Sequence, residues 1–264
     1  MTASKPLVPG ALGLAMARVY AAEVARRNRA FDAGRGVVRL DVPVISVGNL
    51  SVGGTGKTPM VMWAVQRLRE MGRHPAIAMR GYGAKHGGVS DEQAEYSARL
   101  PGVPVVAQPD RIAGLRALRA RFDCVVLDDG FQHRRVARDA DIVLVDATRD
   151  VFADRCLPSG RLREPATSLG RADAVVVTRC DLAGPEAVGA MEARIRSHAP
   201  GVLVARARHR WVGLEIDAAA GGGASMEGVQ WLAGRSVVVA CGIANPEGFA
   251  AQVEGGGARI AARV

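Results

Sequence analysis

Residues Gly48 to Pro59 read GNLSVGGTGKTP, the strongest chemical signal in the chain. Glycines let a backbone approach phosphate oxygens, and N–H groups gathered at a helix N-terminus favour an anion. The candidate nucleotide-binding residues are Ser51, Val52, Gly53, Gly54, Thr55, Gly56, Lys57 and Thr58. Lys57 can reach the β- and γ-phosphates, and the Thr58 hydroxyl can ligate Mg²⁺. The strict GxxxxGK[ST] pattern has glycine where this chain has Ser51. An apolar strand before the loop and an amphipathic helix after it favour a phosphate site over a chance glycine-rich turn.

A second signal is FDCVVLDDGFQHRR, from Phe122 to Arg135. An apolar strand ending in paired acids is the usual companion of such a loop, so Asp128 and Asp129 are candidate Mg²⁺ ligands. Paired acids at a strand end can also cap the next segment, a structural alternative. Gln132 and His133 follow where they could meet phosphate or substrate, although a single histidine is more often structural.

Three further clusters fall on loops after strands: Arg80-Gly81-Tyr82-Gly83, Ser90-Asp91-Glu92, and LPSGRLREP with Arg161, Arg163 and Glu164. An arginine there can neutralise a transferring phosphoryl group or hold an anionic substrate, and a solvated turn is the equal alternative. Thr178-Arg179-Cys180-Asp181 loosely matches the guanine-reading Asn/Thr-Lys-x-Asp motif of GTPases; a helix-capping aspartate is the plainer reading.

The elements that would position these residues alternate. Val42–Val47, Pro75–Met79, Val103–Ala107, Cys124–Leu127, Ile142–Val145, Ala174–Val177, Val202–Ala205 and Val237–Ala240 read as strands. Most are continuous apolar runs, as parallel strands covered on both faces require. Helical periodicity lies between them, at Val61, Ala64, Val65 and Leu68, at Ile112, Leu115 and Leu118, and at Val188, Met191 and Ile195. The pattern predicts a layered α/β fold with a mainly parallel sheet, of the P-loop NTPase kind, and a smaller, incomplete C-terminal α/β part. The expected divisions are an amphipathic N-terminal helix over 1–35, a nucleotide-binding domain over 36–216, a Gly/Ala-rich linker over 217–234 and a β-α-β unit over 235–264.

The chain has 264 residues, 48% of them hydrophobic and 23% charged, which suits a packed globular protein rather than a disordered one. Its formal charge is +9, and of 35 basic residues only Lys5, Lys57 and Lys85 are lysines. The four cysteines are far apart with no CxxC pair, against a zinc site or a disulfide framework. Leu7 to Ala22 comes nearest to a membrane span but is interrupted by Pro9, Gly10, Gly13 and Arg18. With Arg26, Arg27 and Arg29 beyond it, the segment suits an anionic membrane surface or packing on the domain. The charge also admits nucleic acid, for which no recognition motif is present.

Taken in order, VGNLSVGGTGKTP, RGYG, SDE, LDDGFQHRR, LPSGRLREP and CGIANPEGF resemble the tetraacyldisaccharide 4′-kinase family of Gram-negative bacteria. The match runs from Val47 to Phe249, and family members also replace the first glycine of the loop, as Ser51 does. The resemblance implies Mg²⁺-dependent transfer of the ATP γ-phosphate to the 4′-hydroxyl of an acylated glucosamine disaccharide 1-phosphate, at the cytoplasmic face of the inner membrane. By position it implies Lys57 and Thr58 at phosphate and metal, Asp128 and Asp129 at metal, Asp91 as base, and Arg163 and Arg80 near phosphates. It implies an anionic lipid substrate and a membrane surface as partners, with no nucleic acid and no protein partner. Family chains run on into an Asp-His-His segment, so a truncated, impaired form is expected here. A nucleotide-dependent switch without lipid phosphorylation is the alternative.

Overall fold

The computed structural model describes residues 8–81, 89–119, 121–208, 210–218, 222–243 and 246–264. The chain divides into two compact units, Met1–Ala207 and Arg208–Val264.

In the first unit, β1 (Val44–Asn49), β2 (Pro75–Met79), β3 (Val105–Ala107), β4 (Cys124–Asp128), β5 (Ala140–Asp146), β6 (Ala174–Thr178) and β7 (Leu203–Arg206) form one sheet. The order is β3-β2-β4-β1-β5-β6-β7, and every pairing is parallel. Burial explains the apolar runs: all residues of β2 and β4 are buried, because side chains alternate between two covered faces. Along β4, Val126 packs with Val61 and Val65 of helix α2 (Lys57–Glu70). Its neighbours Val125 and Leu127 pack on the other face with Ile112 and Leu115 of α4 (Arg111–Ala117). Farther along the sheet, Val175 and Val177 meet Val188, Met191 and Ile195 of α5 (Pro185–His198). Helix α3 (Asp91–Arg99) carries no clear apolar stripe; its one buried residue, Tyr96, fastens it to the sheet.

Because β1 lies between β4 and β5, loops leaving neighbouring strand ends diverge there, where open parallel sheets make their ligand crevice. Gly48 belongs to this crossing. A Cβ at this position would lie 2.7 Å from the Phe131 backbone nitrogen, so only glycine lets the loop after β4 close over β1.

Helix α1 (Gly10–Asp32) runs uninterrupted. The prolines and glycines that break its apolar pattern sit at its start, with Pro9 as N-cap, or face inward, as Gly13 does. It is docked by Tyr20, whose hydroxyl donates to the Arg163 carbonyl at 3.0 Å, and by Asn28, whose amide donates to the buried Glu164 carboxylate at 2.8 Å. Among the described residues, no helix is long and apolar enough to cross a membrane.

The second unit holds a parallel pair, β10 (Ser236–Val239) and β11 (Arg259–Arg263), joined through α6 (Pro246–Gly255). Leu232, Val239, Val253 and Ala258 form its small core. The first compact unit ends at Ala207, where the sequence placed the division at 216, and much of the 217–234 segment expected as a linker lies in strands and a short helix. Strands β8 (Leu214–Ala218) and β9 (Gly222–Glu227) pair antiparallel there, followed by a short 3-10 helix at Val229–Leu232. Small residues gave no alternating signal, but strand pairing is made by backbone groups and does not need one.

Candidate active site

The glycine-rich loop leaves β1 and enters α2 through Gly56, whose left-handed backbone (φ 89°) is the turn that Lys57 needs to begin the helix. The loop is held from outside by the LPSGRLREP segment. The Val52 N–H donates to the Arg161 carbonyl at 2.8 Å, the Arg163 N–H donates to the Leu50 carbonyl at 2.7 Å, and Ser51 bridges Leu162. The recorded contacts of Arg161 are therefore made by its backbone.

Lys57 and Arg163 converge on Asp129. The lysine Nζ lies 3.6 Å from Asp129 Oδ1 and 3.5 Å from Asn49 Oδ1, and Arg163 Nη1 lies 2.6 Å from Asp129 Oδ2. Burial alone would raise the Asp129 carboxyl, but Lys57 and Arg163, then Arg111, outweigh it and hold it below its ordinary value. Asp129 adopts φ 50°, uncommon for a residue with a side chain, and such strain concentrates at functional sites. Gln132 bridges the two loops: its amide donates to the Asn49 carbonyl at 3.0 Å, and its Oε1 accepts from Arg163 at 3.5 Å.

Asp128 has the opposite character. Burial pushes its carboxyl up, and the neighbouring Asp129 charge adds to the rise against a hydrogen bond from Tyr96. That bond spans 3.0 Å to Oδ2, while the buried Oδ1 has no hydrogen-bond partner. Thr58 also interacts with the Tyr96 hydroxyl, so the three side chains form one cluster. A carboxyl oxygen left without a partner, in a cluster that includes a threonine hydroxyl, is the kind of donor set a hard divalent cation takes. Among the described residues, no group of three or more His, Cys, Asp or Glu side chains could by itself hold a metal. Water and phosphate oxygens would complete the shell of a Mg²⁺ ion.

Asp91 opens α3 behind the N-cap Ser90, whose Oγ accepts from the Gln93 N–H at 3.2 Å, and it is exposed. The helix reaches the cluster through Tyr96 and Glu92. Partial burial pushes the Glu92 carboxyl up and Asp128 adds to this, with Lys57 acting against them. Arg80 follows β2 and lies among the charged neighbours of Arg111; Tyr82 and Gly83 lie outside the described residues. His133 is held neutral, its value lowered to about 4 by burial and by Arg111, Arg138 and Arg135.

The sequence reading missed Asn49, Tyr96 and Arg111, and gave Glu92 no role. Arg111 is 2% exposed, and its Nε and Nη1 have no hydrogen-bond partner. Burial lowers its value while Asp129 and Asp128 counteract, so its charge faces the acidic pair. The signal available for it was a lone arginine after an N-cap aspartate, which in most chains is a solvated helix start.

A parallel sheet with a glycine-rich loop at its switch point, a lysine on the first helical turn and acids at the end of the adjacent strand define a P-loop nucleotide-binding protein. The family model for tetraacyldisaccharide-1-P 4'-kinase matches residues 11–264, and the chain belongs to that family. A tetraacyldisaccharide 4'-kinase of Anaeromyxobacter dehalogenans strain 2CP-1 is 40% identical, covering 96% of this chain and 72% of the relative. One from Geobacter sulfurreducens is 39% identical over 91% of this chain and 70% of its own length. Among solved structures, LpxK from Aquifex aeolicus in complex with ATP matches with a TM-score of 0.74 and 32% identity, over 95% of this chain and 79% of that one.

Proposed function

We propose that this chain is an ATP-dependent kinase that phosphorylates the 4′-hydroxyl of a tetraacylated disaccharide 1-phosphate. The observation that carries this reading is the convergence of Lys57 and Arg163 on Asp129, beside the open Oδ1 of Asp128. Asp129 offsets both cations, and the oxygens of a bound triphosphate would take a share of them. Ser51 to Thr58 cradle the triphosphate, with Lys57 on the β- and γ-oxygens. Thr58, Asp128 and Asp129 would hold Mg²⁺, which when bound neutralises charge on the phosphates. Asp91 takes the proton of the attacking hydroxyl as the new O–P bond forms, and the bond from Pγ to the bridging oxygen breaks to release ADP. Arg163 and Arg80 oppose the charge on the transferring group, and Gln132 holds Arg163 in place.

The acceptor is an anionic lipid, and α1 presents what a membrane surface would meet. Leu12, Met16 and Val19 follow helical spacing on one face and are 68%, 45% and 71% exposed, with Arg26, Arg27 and Arg29 beyond them. This supports peripheral attachment at the cytoplasmic face of the inner membrane.

The test is transfer of labelled γ-phosphate from ATP to the acylated disaccharide 1-phosphate, with an active relative assayed in parallel. No transfer by this chain under conditions where the relative turns over would refute the reading. ATP and GTP binding measured side by side separates it from a guanine-nucleotide switch, which would prefer GTP.

A further inference from the structure

The end of β6 offers a device that the sequence reading took for a loose base-reading motif or a helix cap. Arg179 lies there, a non-glycine residue with φ 56°. Its Nη1 pairs with the buried carboxylate of Asp146, and its Nη2 donates to the Gly54 carbonyl at 2.8 Å. One residue earlier, the Thr178 hydroxyl donates to the Thr55 carbonyl at 3.0 Å. Asp146 is itself fixed, because its Oδ1 accepts from the Thr148 N–H at 2.9 Å and the Thr148 hydroxyl at 2.7 Å.

Two consecutive carbonyls of the glycine-rich loop are therefore held by β6. In a planar trans peptide the C=O and the following N–H point in opposite directions. Fixing the Gly54 and Thr55 carbonyls toward β6 therefore turns the Thr55 and Gly56 N–H groups the other way. We propose that Arg179, braced by Asp146 and seconded by Thr178, is a positioning residue that sets the loop's N–H groups for the triphosphate. A guanidinium suits this role because its fork meets a carboxylate and a carbonyl at once, which a lysine ammonium cannot do with fixed geometry. Its fork is occupied by the loop and Asp146, so Arg179 supports the phosphate site and leaves the base unread.

This rests on the reading of Ser51 to Thr58 as the phosphate site, so ATP binding by the unaltered chain comes first; its absence refutes that reading and not the clamp alone. Given binding, Arg179→Ala and Arg179→Lys are compared with wild type for ATP dissociation constant, KM for ATP, KM for the lipid acceptor and Tm. Binding is measured at a temperature where all three are folded. Arg179→Ala is expected to weaken ATP about tenfold or more, with the lipid KM unchanged. Arg179→Lys keeps the charge beside Asp146, so its Tm recovers toward wild type while ATP binding stays weakened about threefold or more. A folded Arg179→Ala chain that binds ATP within about twofold of wild type overturns the proposal. If Arg179→Ala does not fold, Arg179→Lys decides: wild-type ATP affinity overturns the clamp, and a loss at near-wild-type Tm supports it.

Discussion

The glycine-rich loop stands between two acid–arginine arrangements, and they differ in what they leave unsatisfied. On the β4 side, Asp128 keeps a buried oxygen without a partner, Asp129 is shared between Lys57 and Arg163, and Arg111 has two nitrogens unmatched. On the β5–β6 side, Asp146 accepts from Thr148 and Arg179, and Arg179 spends its other nitrogen on Gly54. Buried polar groups are normally paired, and leaving one open costs free energy. The β4 side holds open valences a ligand can fill, while the Asp146–Arg179 pair is closed and holds a loop carbonyl. Composition does not distinguish the two; saturation does.

Substitutions on the two sides should therefore separate activity from stability. Lys57→Ala removes the cation proposed to face the phosphates, so phosphate transfer should fall at least about 10²–10³-fold while the melting temperature changes little. Asp146→Asn should act first on stability, with ATP affinity falling as well because Arg179 loses its brace. It breaks a buried pair and leaves Arg179 uncompensated, at a cost of about 3 kcal/mol, read as a drop in thermal midpoint with the reaction followed well below it. Asp128→Asn sharpens the contrast: it removes a buried charge, so Tm should hold or rise by the equivalent of about 1 kcal/mol as transfer collapses. Parallel losses of Tm in the two Asp→Asn variants would erase the distinction between the sides.

A smaller effect concerns pH. His133 is held neutral down to about 4, whereas in the unfolded chain it titrates near 6.5. Between those values the unfolded chain takes up a proton that the folded chain refuses, so the stability present above pH 6.5 is lost as pH falls toward 4. His133→Gln should therefore lose less Tm than wild type between pH 7 and pH 5. The smallest change is Tyr20→Phe, which deletes the bond from α1 to the Arg163 carbonyl at a cost of about 1 kcal/mol. Its kcat should drop a few-fold if the helix steadies Arg163, and a kcat equal to wild type would confine Tyr20 to docking the helix.

The layered parallel sheet was legible because its strands are buried on both faces and show it as apolar runs; β2 coincides with its predicted range, Pro75–Met79. Helix α3 was not legible, since eight of its nine residues avoid the core and only Tyr96 is buried. The β8–β9 hairpin was obscured by its small residues. In the site, Lys57, Asp129, Gln132 and Arg163 were named from motifs and come together. Arg111 and Arg179 were missed as parts of it because their partners lie on other strands. Arg111 faces acids from the end of β4, and Arg179 reaches across from β6 to a loop more than a hundred residues earlier.

By itself the sequence determined the glycine-rich loop and its place, since it is written in a dozen consecutive residues between one strand and one helix. It also determined the family, through motifs whose order survives any folding. Only the tertiary structure decided which acid stays open and which is closed. Asp128 and Asp146 both sit at strand ends beside arginines, and their fates depend on what faces them: Tyr96 of α3 takes one oxygen of Asp128 and leaves the other open, whereas Thr148 and Arg179 close Asp146. Arg179 reaches Asp146 through the strand order β3-β2-β4-β1-β5-β6-β7, a long-range arrangement that no local spacing encodes.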